Sequence, residues 1–339
     1  MLASLVTPSA VTPSAAVTPW WRHRRLMPWL IQAAVGLVVL VLVAFLLGNL
    51  VRNLTQAGLL LTWSWLGNPA GFEIAETAIP FDAAMPYWRA LLAGLANTLK
   101  VVLAGLVGAT VLGTLVGTAS FSSNGLLRRL ARVYVELIRN IPLLLQLVFW
   151  YFVVFLALPN GAAALQLPGV VLAKAGLYLS WFDPAWQWQG PQLINGVWTA
   201  PLRITVEFAA LLTGLVIYTG AFIAEVVRGG VASVPKGQWE AANSLGFSPL
   251  QTLTRIVLPQ ALRVIVPGLN SQYISLAKSS SLAVACGYTD LYSVAETTLN
   301  QTGRAVEVVV ILLGSYLVID LVISGLMNGL NSLVQLRER

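Results

Sequence analysis

The stretch PKGQWEAANSLGFSPLQTLTRIVLP, from Pro235 to Pro259, is polar and punctuated by glycine, and it lies between two strongly apolar segments. Pro235 is placed to open a short helix whose apolar and small residues include Trp239, Ala241, Ala242 and Leu245. Gly246 then falls where a left-handed C-terminal cap is wanted, a conformation glycine adopts without a Cβ penalty. Ser248, Pro249 and Gln251 restart a helix, with serine as N-cap, proline at the first position and glutamine three residues after the cap. Pro259 marks the entry to the next apolar run. This grammar predicts a rigid helix–turn–helix at a membrane face, shaped to dock in a groove on another protein.

The rest of the chain explains why that face belongs to a membrane. Of its 339 residues, 57% are hydrophobic and only 10% charged, and its mean hydropathy is +0.78. A soluble domain carries about 25% charged residues, so this composition is suited to lipid. A spanning helix needs about 20 mostly apolar residues. Candidate runs fall near 28–50, 94–120, 141–158, 204–227, 260–284 and 305–333, with Lys100 interrupting the second and Lys278 the fifth. The expectation is an all-α integral membrane protein of about six transmembrane helices. Residues 1–27 read as a disordered tail, because Val-Thr-Pro-Ser-Ala at 6–10 repeats at 11–15 with no apolar period. Its basic group follows the tract instead of leading it, which argues against a signal peptide.

The net charge of +7 suggests nucleic acid until the charges are placed. Arg22, Arg24, Arg25, Arg128, Arg129, Arg132, Arg139, Arg228, Lys236, Arg255, Arg263, Arg337 and Arg339 all fall on one side of this topology. The other side holds Arg52, Arg89, Lys174, Arg203 and Arg304 among several acids. Lys and Arg collect on the cytoplasmic side, so both termini are expected inside, and the basic balance is a topology signal rather than a nucleic-acid footprint. Trp20, Trp21 and Trp29 fit one interfacial belt, and Trp63, Trp65 and Trp88 the other.

Catalysis finds no footing. The single Cys286 excludes an intrachain disulfide framework and a multi-cysteine zinc site, and the single His23 lies in a basic flank, so no metal site is expected. No serine–histidine–aspartate set is available. No G-x-x-x-x-G-K-[ST] phosphate loop occurs, so ATP-driven work requires a separate subunit.

The gapped pattern Glu240-Ala241-Ala242, Gly246, Ile256, Leu258-Pro259 resembles the signature loop of permease subunits in binding-protein-dependent ABC importers. The run from Tyr134 to Pro142 with Gln146, the run from Ala224 to Gly230, Val234 to Gln238 and Lys278 to Leu282 resemble the polar amino-acid branch. Thr298 to Glu307 is similar to the general L-amino-acid and glutamate/glutamine/aspartate permeases. The resemblance implies a type I permease core of five helices preceded by an added N-terminal helix. With the apolar runs and charge placement above, the expected organisation is residues 1–27 as tail, 28–50 as first helix, 51–93 as periplasmic segment and 94–335 as core. Within the core, 160–202 becomes a periplasmic insert and 229–259 the cytoplasmic coupling loop. The insert, with Trp181, Trp186, Trp188 and Trp198, reads as an interfacial re-entrant or surface helix, or as a platform for an external binding protein. The implied partners are a second, non-identical permease, two ATPase subunits carrying Mg-ATP, a periplasmic amino-acid-binding protein and the lipid of the inner membrane. The coupling residues implied are Pro235, Gly237, Glu240, Ala241, Ala242, Gly246, Ile256, Leu258 and Pro259. The alternative class is a secondary amino-acid transporter driven by an ion gradient.

Ionisable groups inside spans are costly and are functional candidates. Glu225 precedes Arg228 by three residues, which favours an i,i+3 pair. Asp320, in the last span, is expected to pair with a neighbouring helix. Lys278 and Glu207 are suited to meet the carboxylate and ammonium of an amino acid, with Asn270, Gln272, Tyr273 and Ser279 adding hydrogen bonds. Equally, the two charges bridge each other or the bundle. Gly94, Gly105, Gly108, Gly113 and Gly117 concentrate in the second run, and Gly113-x-x-x-Gly117 predicts close packing within the bundle.

Overall fold

The computed structural model describes residues 26–56, 58 and 61–335. The tail expected over 1–27, with His23, Arg22, Arg24, Arg25, Trp20 and Trp21, lies almost wholly outside the described residues, as do Arg337 and Arg339. Two compact units divide the chain after Thr62. The first holds helix α1, Leu26–Gln56, whose described residues are predominantly Leu, Val, Ile and Ala. At about 1.5 Å per residue it is long enough for a ~30 Å hydrocarbon layer.

The second unit is a helical bundle. Its elements are α2 (Tyr87–Ala119), α3 (Gly125–Arg139), α4 (Leu143–Val148), α5 (Val206–Ala232), α8 (Leu258–Ser279), α9 (Leu291–Thr302) and α10 (Ala305–Val334). Short helices α6 (Lys236–Ser244) and α7 (Pro249–Thr252) sit between α5 and α8. Helix starts follow side-chain chemistry. Asn124 accepts from the Leu126 and Leu127 amides at α3, Thr205 from the Phe208 amide at α5, and Asp290 from the Ser293 amide at α9.

Four described helices (α1, α2, α5 and α10) are long and apolar enough to cross a membrane. A fifth span results if α3 and the segment 143–155 count as one element bent by 104°. The run expected at 141–158 is a shorter helical stretch, α4 continued by the π-helical Phe149–Phe155, and it reaches span length only together with α3. The run at 260–284 forms α8, whose Arg263, Asn270, Gln272 and Lys278, with Pro267 inside, make it more polar than the other four. Helix α1 runs six residues past its expected end and α2 starts seven before 94, so the segment between them is shorter than 51–93.

The bundle is organised around α5. In lipid there is no hydrophobic drive between helices, so close van der Waals approach must supply the association. The α2–α5 seam shows how. A Cβ built on Gly113 would stand 2.5 Å from Ile223 Cγ2 and 2.8 Å from the Gly220 carbonyl, and one on Gly117 would stand 2.7 Å from Val227 Cβ. Helix α8 docks by the same device, with Gly230 against Ile265 at 2.4 Å and Gly268 against Val226 at 2.7 Å. The packing role expected of Gly113 and Gly117 is thus an intramolecular one.

The end of the bundle where α2 begins is tied by Asn97, which is fully buried. Its Nδ2 donates to the Glu76 and Thr289 carbonyls, both at 2.7 Å, and its Oδ1 accepts from the Ala78 amide at 2.8 Å. One side chain thereby fixes the segment before α2 and the turn before α9. Trp65 departs from the interfacial belt: it is 5% exposed and packs edge-on to Tyr87 at 5.6 Å.

The insert corrects a second expectation, because it is neither a re-entrant nor a surface helix. Strands β1 (Leu165–Leu167), β2 (Val170–Ala173), β3 (Gly176–Leu179) and β8 (Leu202–Ile204) form an antiparallel sheet in the order β1-β2-β3-β8. Two further hairpins pair β4 (Trp181–Phe182) with β5 (Trp188–Gln189) and β6 (Gln192–Ile194) with β7 (Val197–Thr199). The signals are local. Asn195-Gly196, at φ 53° and 80°, makes a two-residue turn of the kind hairpins favour. Val171, Ala173 and Tyr178 point inward together with Trp198, whose Nε1 donates to the Gly161 carbonyl at 2.7 Å.

Replacing Gly113 by leucine should lower the unfolding temperature of the solubilised chain, by the equivalent of at least about 1–3 kcal/mol of overpacking. Gly314→Leu, in open space on α10, should leave it unchanged. Equal behaviour of the two variants in a thermal-shift assay would refute the seam.

Candidate functional site

The stretch 235–259 folds as its sequence dictates. Helix α6 ends at Ser244, and Gly246 adopts φ 77°. The Phe247 amide donates to the Ala242 carbonyl at 3.1 Å and the Gly246 amide to the Asn243 carbonyl at 3.0 Å. These are the two bonds of a Schellman cap, which satisfies carbonyls the helix end leaves open. Two residues later Ser248 and Gln251 close a capping box. The Ser248 amide donates to Gln251 Oε1 at 3.0 Å and the Gln251 amide to Ser248 Oγ at 3.4 Å, with Pro249 at the first helical position. A π-helical turn, Leu253–Val257, then leads directly into α8.

The elbow is anchored at its base and bare at its tip. Ala242 and Val257 are fully buried. Trp239, Leu253 and Leu258 pack against the core cluster that contains Val227, Val231, Ala261 and Ile265 of α5 and α8. Gln260 reaches back to Gln238 Oε1 at 3.3 Å. At the tip Leu245 is 76% and Leu250 70% exposed. Pro235, Gly237, Glu240, Ala241, Gly246 and Pro259 are also exposed, and Ile256 is half-buried. The pattern therefore divides: Ala242 and the Ile256–Leu258 segment brace the elbow, whereas Glu240, Ala241 and Gly246 face outward. Leu250 was not picked out from sequence, which by itself does not separate exposed apolar residues from buried ones.

The charges within the helices resolve into separate pairs. Lys278 Nζ lies 3.3 Å from Asp320 Oδ2, across from α8 to α10, which gives Asp320 its expected interhelical partner. Asp320 Oδ1 is buried and has no partner in the protein, and the same is true of Asn270 Oδ1. Glu207 instead accepts from the Tyr151 hydroxyl at 3.5 Å, so the structure does not bring Lys278 and Glu207 together as an ion pair. Lys278 remains largely exposed beyond its contact with Asp320.

Of the polar residues expected beside them, Tyr273 exchanges a 2.7 Å hydrogen bond with Thr110 of α2. Gln272 donates to Ser271 Oγ at 3.3 Å, and half-buried Ser279 leads into the 3₁₀ turn after α8. Glu225 pairs with Arg228 as its spacing predicts and also stands 4.0 Å from Arg139 of α3. Lys100 is held by Glu76 at 2.5 Å and sits 4.5 Å from the centre of the Phe208 ring. Glu76 also accepts from Thr205, the cap of α5.

Among the described residues no group of histidine, cysteine and carboxylate side chains forms a metal site. The arrangement holds helices together, and at one end the elbow leaves Leu245 and Leu250 bare.

Comparison with known proteins accords with that geometry. Residues 109–335 match the family described as "Binding-protein-dependent transport system inner membrane component". The chain is 36% identical to the "Putative amino-acid ABC transporter permease protein YhdX" of Escherichia coli, over 92% of this chain and 95% of that protein. It is 37% identical to the "General L-amino acid transport system permease protein AapQ" of Rhizobium johnstonii, over 86% of this chain and 87% of that one. A solved structure described as an amino acid ABC transporter with histidines superposes with a TM-score of 0.54 at 25% identity, covering 73% of this chain and 94% of its own. An inward-facing MetNI methionine ABC transporter superposes at 0.52 and 19% identity, which speaks to the fold alone. In such ABC systems the ATPase is a separate subunit, and the alternative of an ion-gradient-driven carrier is not supported. The chain belongs to the binding-protein-dependent transport system inner membrane components, among the permease subunits of amino-acid ABC transporters.

Proposed function

We propose that this chain forms one half of the translocation path of an ATP-driven amino-acid importer of the inner membrane, and that the elbow at 235–259 is its handle. Cytoplasmic termini follow from the distribution of arginine. A non-identical second permease, two ATPase subunits carrying Mg-ATP and an external amino-acid-binding protein complete the assembly. The observation that carries the reading is the elbow itself. It is capped at both internal ends, bolted to α5 and α8, and tipped by two exposed leucines. Glu240, Ala241, Gly246 and Pro235 with Gly237 lie on the side offered to the ATPase, while Ala242, Ile256, Leu258 and Pro259 transmit its displacement into α8. Closure of the ATPases on nucleotide then tilts α5 and α8 together, a rigid-body alternation between outward- and inward-facing states. Mg-ATP is held by the partner, and the chain itself carries no cofactor.

For substrate, Lys278 is suited to a carboxylate, since its ammonium has donors to spare beyond Asp320. Glu207 is suited to the ammonium. Asn270, Gln272, Tyr273 and Ser279 of α8 are the hydrogen-bonding side chains assigned to the same substrate. The amino-acid names of the relatives support this chemistry.

A Gly246→Asp variant should insert normally yet lose at least about tenfold in uptake, because it puts a carboxylate on the exposed tip, at a turn that glycine holds at φ 77°. Gly229→Ala, a glycine in open space, should retain it, and normal uptake by Gly246→Asp would end the handle assignment. Lys278→Gln should raise the amino-acid concentration for half-maximal ATPase stimulation in proteoliposomes by about tenfold, the value of one charge-assisted hydrogen bond. Lys278→Arg should stay within a few-fold of the native chain. An unchanged concentration for Lys278→Gln removes Lys278 from the substrate site.

A further inference from the structure

We propose that α3 lies at the membrane boundary and holds anionic phospholipid headgroups through Arg128, Arg129 and Arg132. The helix has three faces. One is seated in the bundle, with Ala131 and Val135 buried and the Tyr134 hydroxyl donating to the Ile217 carbonyl at 2.6 Å. The second is an apolar stripe left bare: Leu126 is 67%, Leu130 57%, Val133 52% and Leu137 58% exposed. Their i, i+4, i+7, i+11 spacing puts them on one side of the helix. The third is basic, and Arg128, Arg129 and Arg132 line a recess of about 480 Å³ beside Gly125 and Leu126.

The arginines at the other end of this surface are answered: Glu225 stands by Arg139 and Arg228. No carboxylate lies within 4.0 Å of Arg128, Arg129 or Arg132 among the described residues, although Glu136 is one turn on from Arg132. Arg128 spends one donor on the Ser122 carbonyl at 3.0 Å. The helix N-terminus is already closed by Asn124, so the unanswered positive charge belongs to the side chains.

A partner must therefore supply an apolar surface and negative charge side by side along one boundary. An acyl chain and its phosphate do so. The 104° bend between α3 and the segment 143–155 turns the helix across that segment, which packs along α5, the direction an interfacial helix requires. The proposal is independent of the elbow's role, and the orientation given above decides only which leaflet is meant.

The test is native mass spectrometry of the full chain, purified in neutral detergent and offered equal phosphatidylglycerol and phosphatidylcholine. The native chain should retain phosphatidylglycerol preferentially. Changing all three arginines to glutamine should abolish the preference, with about a fivefold loss for each arginine removed. The matching triple lysine variant should keep most of it, which separates charge from fold. Should the glutamine variant not be recovered, Arg129→Gln alone, at an exposed position, should show the single-step loss. Inorganic phosphate at millimolar concentration should not compete. Three results would overturn the proposal: no lipid preference in the native chain, a preference unchanged in the glutamine variants, or displacement by free phosphate. So would a shift from dimer to monomer on changing Leu126 and Leu130 to asparagine, since the stripe would then be a subunit interface.

Discussion

The core of the bundle depends on how closely α5 lets α2 and α8 approach. Lipid competes for apolar surface as well as any leucine does, so helices stay together only where backbones come near enough for dense contact. The glycines Gly113 and Gly117 of α2, Gly230 of α5 and Gly268 of α8 each sit where a methyl group would collide. With those contacts, α2, α5 and α8 form one body. Without them the elbow, which leaves from the end of α5 and enters α8, has nothing rigid to turn.

That dependence links local grammar to mechanism. The Schellman cap at Gly246 and the capping box at Ser248 fix the angle of the elbow with local hydrogen bonds rather than tertiary contacts, so its tip can stand clear of the protein. Its base, through Trp239, Leu253 and Leu258, is embedded in the same cluster that joins α5 to α8. A force on the tip is thus delivered to two helices at once. At the other end Asn97 and Glu76 tie the segment before α2 to α2 and to the cap of α5. The bundle is consequently braced at both faces.

Much of this was legible in the sequence, for physical reasons. Caps, glycine conformations and the Glu225–Arg228 spacing are short-range properties, and residues 235–259 folded accordingly. The need of Asp320 for an interhelical partner follows from the cost of a charge in a span, but nothing local names Lys278, which lies in a different helix. Its pairing, and the consequent separation from Glu207, is a tertiary fact. The insert shows the opposite failure. Its turn signals, Asn195-Gly196 above all, were present, yet the tryptophans and the setting in a helical membrane protein favoured a helix. The bend at Asn140 to Pro142 likewise overrode an apolar run too short to span alone.

Whether the elbow's tip meets an ATPase is tested directly by photo-crosslinking in native membranes, with benzoylphenylalanine placed at Leu245, at Leu250 and, as a control on the apolar surface of α10, at Leu313. The first two should capture a P-loop ATPase and the third none. Capture at all three positions alike, or at neither leucine of the tip, would contradict that contact.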